Sequence, residues 1–252
     1  MTRQVQPNLT SSVRSLMKRQ FGGTRLWRFA RQFRRQISEL NTRDAYRLWA
    51  PTYAAETATS YLDEQLAQEM LIGLPHTTLL DAGCGIGRRI AHIPGAIGID
   101  VSPEMLAAGG ATNVITGDVR SMPFASNRFD MVWCRLVLGH VRDPLRAYLE
   151  LCRVCLPGGY VFVTDFHPDA VAAGHRRSFT DQSGRVHDIE HYVHRNHIDL
   201  ASQAGLSLVS YQDGSVGPSI LEYYLRGLGR RAYERDFNLK LVAAFLYRRS
   251  HQ

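Results

Sequence analysis

The apolar positions of this chain change period several times, and those changes order its elements. Short runs rich in Val, Ile, Leu and aromatic residues, closed off by Gly, Pro or Asp, read as strands at 77–82, 96–100, 113–117, 129–134 and 159–165. Helical spacing predicts helices at roughly 60–73 and at 86–92, 103–109, 143–155 and 197–205. Two further strands, 206–212 and 241–248, enclose a helical insertion at 219–235. Strands that alternate with helices in this way predict a doubly wound α/β architecture, a seven-stranded, largely parallel sheet covered on both faces.

Upstream of residue 42 the pattern differs. Val13, Leu16, Met17 and Phe21 fall at helical spacing after Ser11 and Ser12, and Gly22-Gly23 ends the stretch. Leu26, Phe29, Phe33, Ile37 and Leu40 repeat every three or four residues, with arginines on the other faces. The organisation expected is a basic helical extension over 1–42 and an α/β body over 43–252. Helical cap insertions are expected near 167–196 and 214–240.

The net charge of +7 would suggest a nucleic-acid partner until it is located. Residues 1–47 carry eleven Lys/Arg against two acids, a balance of +9, and the other 205 residues carry nineteen against twenty-one, a balance of −2. The body is close to neutral, which argues against a broad phosphate-tracking surface. The extension has three readings: a lid, a membrane-surface helix through residues 11–40, and an organelle-targeting segment over 1–40. No run approaches 18 apolar residues, no secretory signal is evident, and Cys84, Cys134, Cys152 and Cys155 read as reduced thiols; a cytoplasmic setting is expected.

The residues with the clearest chemistry are Leu79-Leu80-Asp81-Ala82-Gly83-Cys84-Gly85-Ile86-Gly87. A strand enters a Gly-x-Gly-x-Gly turn, where glycines allow positive φ and close approach of a ligand. Asp81, two residues before the first glycine, and the spacing itself separate the turn from a dinucleotide fingerprint. The second strand ends at Asp100, seventeen residues after Gly83, where a carboxylate can accept both hydroxyls of a ribose. The third leads to Asp118, which can accept from an adenine amino group, while Val119 packs the ring. Pro103 suits the first position of a helix.

These motifs, in order and at these spacings, resemble the class I S-adenosylmethionine (SAM)-dependent methyltransferases, in particular the small-molecule group that includes the quinone-biosynthesis enzymes. The resemblance runs from about Tyr46 to Ala204. It rests on YRLWAPTY, LLDAGCGIG, AIGIDVSPEML, GDVRSMPFASNRFDMV, HVRDP and RVCLPGGYVFVTD. It implies a Rossmann-like methyltransferase sheet, SAM as cofactor and S-adenosylhomocysteine as its product. By position it implies that Asp81, Gly83, Cys84 and Gly85 line the methionine and ribose part, and that Asp100 holds the ribose hydroxyls. Val101 and Met105 would lie against the adenine, Asp118 and Val119 at its edge, Cys134 beside the sulfonium, and Tyr53 over the cofactor.

Six of the ten histidines lie between 167 and 197. A general base is one reading, with His140 and His167, just past the fourth and fifth strands, best placed. A metal site is another, since His187, His191 and His194 would share one helical face. Polar residues on a lid helix are the plainer reading, and no metal is expected. The stretch CRLVLGHV supplies neither carboxylate nor amide, against a metal-dependent catechol-type enzyme. Cys152-x-x-Cys155 has no second pair and reads as core packing. The function expected is methyl transfer to a small aromatic or amphiphilic acceptor, a quinone precursor or specialised metabolite. The alternatives are a nucleic-acid methyltransferase clamped by the extension and a non-catalytic SAM-binding assembly partner. The Asn-Pro-Pro-Tyr-type tetrapeptide of base-amino methyltransferases is absent after the fourth strand.

Overall fold

A computed structural model describes residues 39–74 and 76–251. The two amphipathic stretches of the basic extension fall almost wholly on 1–38, outside the described residues.

The described chain begins with strand β1 (Glu39–Leu40), helix α1 (Thr42–Trp49), a 3₁₀ turn at Ala50–Thr52, and helix α2 (Ala58–Met70). Strands β2 (Leu79–Ala82) and β3 (Ala96–Asp100) precede helix α3 (Pro103–Ala108) and strand β4 (Val114–Thr116). Strand β5 (Phe129–Arg135), helix α4 (Pro144–Val154) and strand β6 (Cys155–Phe166) follow. The next segment holds helix α5 (Pro168–Ala172) and a hairpin of β7 (Ser178–Thr180) and β8 (Val186–Ile189). Helix α6 (His197–Gln203), strand β9 (Leu206–Ser215), helices α7 (Leu221–Gly227) and α8 (Arg230–Asp236), and strand β10 (Lys240–Arg249) complete it.

The seven-stranded sheet has the order β4-β3-β2-β5-β6-β10-β9. Its first five strands are parallel, and β10 inserts antiparallel between β6 and β9. The crossovers place helices on both faces, so the central strands are apolar on both sides. Successive side chains point to opposite faces. Leu80, Ala82, Val132, Cys134, Phe245 and Tyr247 pack with α4 and α6. Leu79, Met131, Trp133, Val242, Ala244 and Leu246 pack with α2. This alternation puts Asp81 and Arg135 on the α2 side.

Helix starts follow local chemistry. Thr57 and Ser60 form a reciprocal capping box on α2, and Ser102 caps α3 with Pro103 at its first position. Three expected helical segments differ. Residues 86–92 form successive single turns, Gly87 to Cys84, Ile90 to Gly87 and Ile93 to Ile90. Positive φ at Gly85 and Gly87, with Pro94 and Gly95 beyond, leaves no room for a continuous helix. The insertion at 219–235 is split into α7 and α8 by Gly229, whose φ is 84°. The insertion near 167–196 carries only the short α5; its centre is the β7–β8 hairpin, which pairs with β1 in a small second sheet.

Candidate active site

The glycine turn after β2 is tied to the neighbouring strand. The backbone N–H groups of Gly83 and Cys84 both donate to Ile99 O, at 2.7 and 3.0 Å. Gly83 has φ 84°, and a Cβ there would lie 2.2 Å from Val137 Cγ2. Asp100, at the end of β3, accepts from Gly85 N–H through Oδ2 (2.8 Å) and from Ser102 N–H through Oδ1 (2.9 Å). Burial holds its carboxyl above the ordinary value, against the pull of those two donors. Its orientation is therefore fixed by backbone before any ligand binds.

Asp100 opens onto a cavity of about 340 Å³, within the range of small-molecule sites. Gly83, Gly85, Val101, Asp118, Val119 and Val137 also line it. Val119 is buried, and Val101 stands half-exposed at the rim. Asp118 is held by Arg120 (2.6 Å), whose hydrogen bonds keep its carboxyl below the usual range. Tyr53 also lines the cavity; its Cε1 sits 3.6 Å from where a Cβ on Gly85 would be.

The other carried-over residues lie behind this wall. Met105 is buried beneath Gly85, and its Cε would lie 3.3 Å from a Cβ there. Cys84 points toward Gly98 and borders a smaller cavity of about 50 Å³. Cys134 is wholly buried in the core on the α4 side, so Arg135, Leu136 and Val137 meet the cavity in its place. Cys152 and Cys155 are buried and unpaired.

Asp81 is completely buried, with Oδ1 3.5 Å from Arg89 and no hydrogen-bond partner for Oδ2. Desolvation raises its pKa. The same face holds a second buried charge pair, which the motifs along the chain do not signal. Arg135, 2% exposed, reaches Asp63 (2.9 Å) and Glu64 (2.8 Å) on α2, and Thr164 Oγ1 donates to Asp63 (2.6 Å). Burial works against ionised Asp63, but Arg135 and Arg89 overcome it and hold its pKa below normal.

Tyr46 also lines the cavity and belongs to a cluster of rings. Helix α1 presents Tyr46 and Trp49, which stack at 5.7 Å, and Trp49 stacks on Phe179 of β7 at 5.1 Å. His140 Nδ1 lies 3.2 Å from Glu190 O, which can only accept, so Nδ1 carries the proton. His140 Nε2 is then the acceptor for the Tyr46 hydroxyl at 3.0 Å. Burial pushes the Tyr46 hydroxyl pKa up, against the opposing pull of the nearby Arg177 charge. Burial, with Arg177 and His191 nearby, lowers the His140 pKa to about 3.

The remaining histidines disperse. His167 borders a different cavity, and its Nδ1 accepts from Asp169 N–H at 3.0 Å; the position past β6 does not bring it to the Asp100 cavity. His187 sits on β8 beside Asp181 (2.8 Å), His191 contacts Asp165 (4.0 Å), and His194 donates to Leu138 O and Val141 O. A strand and an irregular segment replace the expected helix, so the three do not share a helical face, and no metal-binding group forms among the described residues.

Residues 80–163 match a family model described as a methyltransferase domain. The chain is 41% identical over 103 residues to a malonyl-[acyl-carrier protein] O-methyltransferase of Herminiimonas arsenicoxydans, covering 38% of this chain and 39% of that protein. It is 29% identical over 182 residues to the enzyme of the same name from Dechloromonas aromatica, covering 68% of each. The match to the first of these thus spans about two fifths of that relative's length. Among solved structures, an S-adenosylmethionine-dependent methyltransferase from Mesorhizobium loti superposes with a TM-score of 0.55 at 19% identity, covering 75% of this chain and 98% of that one.

Proposed function

We propose that this chain is a class I SAM-dependent methyltransferase, as the match of residues 80–163 to a methyltransferase-domain model supports, and that it transfers the methyl group of SAM to a small aromatic or amphiphilic acceptor, such as a quinone precursor or specialised metabolite. The observation that carries this reading is Asp100, a carboxylate pinned by two backbone donors and turned into a ligand-sized cavity beside a glycine cradle. The residues present fit the cofactor. Asp100 would accept the ribose hydroxyls, Val119 and Val101 would flank the adenine, and Asp118 would lie at its edge. Gly83 and Gly85 bring bare backbone to the cavity wall, and at Gly83 a Cβ would collide with Val137. Asp81, with one buried oxygen open, supplies an acceptor beneath the turn.

SAM, when bound, supplies a methyl carbon already activated by its sulfonium. The protein's own work is alignment and exclusion of water, and orientation of two reactants can contribute about 7–11 kcal/mol. Tyr53, Tyr46 and Trp49 provide the cover. His140 is proposed as a positioning residue: neutral at physiological pH and already bonded to Tyr46, it holds that ring over the cavity. A conjugate acid with a pKa of about 3 makes a poor proton acceptor for an acceptor hydroxyl.

Calorimetry of the full chain with SAM and S-adenosylhomocysteine tests the reading. Binding of both is expected, and no heat with either would end it. Incubation with labelled SAM and a metabolite extract then identifies the acceptor. With that acceptor in hand, His140→Gln should retain turnover at saturating SAM, since an amide can accept from Tyr46 and donate to Glu190 O. His140→Ala should lose it. Equal loss in both would make His140 a base instead.

A further inference from the structure

A second cavity, of about 480 Å³, opens beside the first. It lies between the turn after α1, the β6 end and α7. Its walls combine Trp49 and Tyr223 with three guanidinium groups, Arg176, Arg177 and Arg226. Glu56 is the acid on its lining, and its carboxylate already accepts from the Tyr223 hydroxyl. Among the described residues, none of these three arginines forms an ion pair. Arg89 and Arg135, which border the neighbouring cavities, are both paired with carboxylates. Arg226 donates to Glu222 O and lies over Tyr223 at 4.9 Å. Arg177 is half-buried and its backbone O accepts from Ile189 N–H at 2.8 Å, which fixes it to the hairpin. Its guanidinium lies 5.9 Å over Phe166 and near Tyr46, and its fork has five N–H donors to offer.

This cavity and the Asp100 cavity have no lining residue in common, and the 50 Å³ cavity beside the glycine turn borders both. Trp49, Thr57 and Arg177 border both this cavity and the 50 Å³ one. Tyr53 and Leu136 border both that small cavity and the one containing Asp100. Arg177 therefore stands where the cleft lined by Trp49 and Tyr223 meets the small cavity beside the glycine turn.

We infer that this cleft is the acceptor subsite, that it selects a small acceptor bearing an anionic group, and that Arg177 fixes the anion. The planar guanidinium fork matches carboxylate and phosphate geometry and stays charged at every physiological pH. The rings hold the acceptor's apolar body. The inference rests on the methyl-transfer reading but makes a separate claim, namely the chemical class of the acceptor.

The test uses the full chain saturated with S-adenosylhomocysteine. Calorimetric titrations compare 4-hydroxybenzoate, phenyl phosphate and the neutral 4-hydroxybenzamide, so the two anions separate a carboxylate from a phosphate preference. At least one anion should bind tenfold or more tightly than the amide. Arg177→Gln should abolish that preference, Arg177→Lys should keep part of it, and Arg226→Gln should reduce it several-fold. Equal binding of amide and anions, no anion binding, or an unchanged preference in Arg177→Gln would overturn the inference. If Arg177→Gln loses S-adenosylhomocysteine as well, Arg226→Gln decides instead, and an unaltered preference there overturns the inference. Failure of the wild-type chain to bind S-adenosylhomocysteine would instead sink the methyl-transfer reading.

Discussion

Gly83→Ala tests the close approach of the turn after β2 to the loop that follows β5. Two costs are distinct. At φ 84° an L-residue with a Cβ is strained, by about 1–2 kcal/mol. The new Cβ would also lie 2.2 Å from Val137 Cγ2 and 2.9 Å from Cγ1, so Val137 must move, at about 1–3 kcal/mol for overpacking. The single variant should lose about 2–5 kcal/mol in total. Val137→Ala removes both γ carbons and leaves Val137 Cβ at 3.2 Å, a contact that small shifts relieve. In that background Gly83→Ala should cost only the backbone part, giving a favourable coupling of about 1–3 kcal/mol. Urea unfolding of the four proteins of the cycle, followed by circular dichroism, measures it. Additivity within about 0.5 kcal/mol would refute the steric argument, because non-interacting sites add to that tolerance.

Asp100→Asn turns one N–H donor of Gly85 or Ser102 toward an amide N–H₂ and removes the charge. SAM should bind roughly 10- to 150-fold more weakly by calorimetry, the equivalent of about 1.5–3 kcal/mol. Arg135→Met strands ionised Asp63 in the core and should cost about 3–5 kcal/mol in urea unfolding, whereas Asp63→Leu/Arg135→Met should recover most of it. Folding holds His140 near pKa 3 and His191 near 4, both below the unfolded value of about 6.5. The unfolded chain therefore binds more protons below that value. Their contribution is complete above pH 6.5 and declines as pH falls through the folded values, by about 2 kcal/mol each at pH 5. Denaturation midpoints of wild type and His140→Gln/His191→Gln between pH 7.5 and 5 check the sign; parallel curves would contradict it.

Much of the sheet can be read from local pattern. Leu79 to Ala82, Phe129 to Cys134 and Tyr160 to Asp165 alternate apolar residues with no polar face, as strands covered on both sides must. Which acid faces the cavity could not be read in the same way. Asp81 and Asp100 both lie at the C-terminal ends of strands, yet Asp81 faces the core under α2 while Asp100 turns to the cavity. Parity decides similarly at Cys134 and Arg135, since one residue flips the face. The partner that makes buried Arg135 tolerable, Asp63, is 72 residues away on a helix whose docking face local pattern does not reveal. The hairpin at 178–189 did leave a signal. Asp181, Ser183 and Gly184 mark a turn between Phe179 and Val186. Histidines at helical spacing pointed elsewhere. Arg177 carried no sequence signal, because the two cavities it borders are lined by residues far apart along the chain.

The peptide unit of Glu190 is held from both sides: its N–H donates to Leu40 O at 2.8 Å, and its C=O accepts from His140. Leu40 leads directly into the helix that carries Tyr46, and Glu190 follows directly on the hairpin that carries Phe179. Lifting the aromatic cluster away from the hairpin thus requires breaking the main-chain bond between Glu190 and Leu40, which no side-chain replacement deletes, together with the His140 contact. Any movement of helix α1 is thereby mechanically coupled to movement of the hairpin.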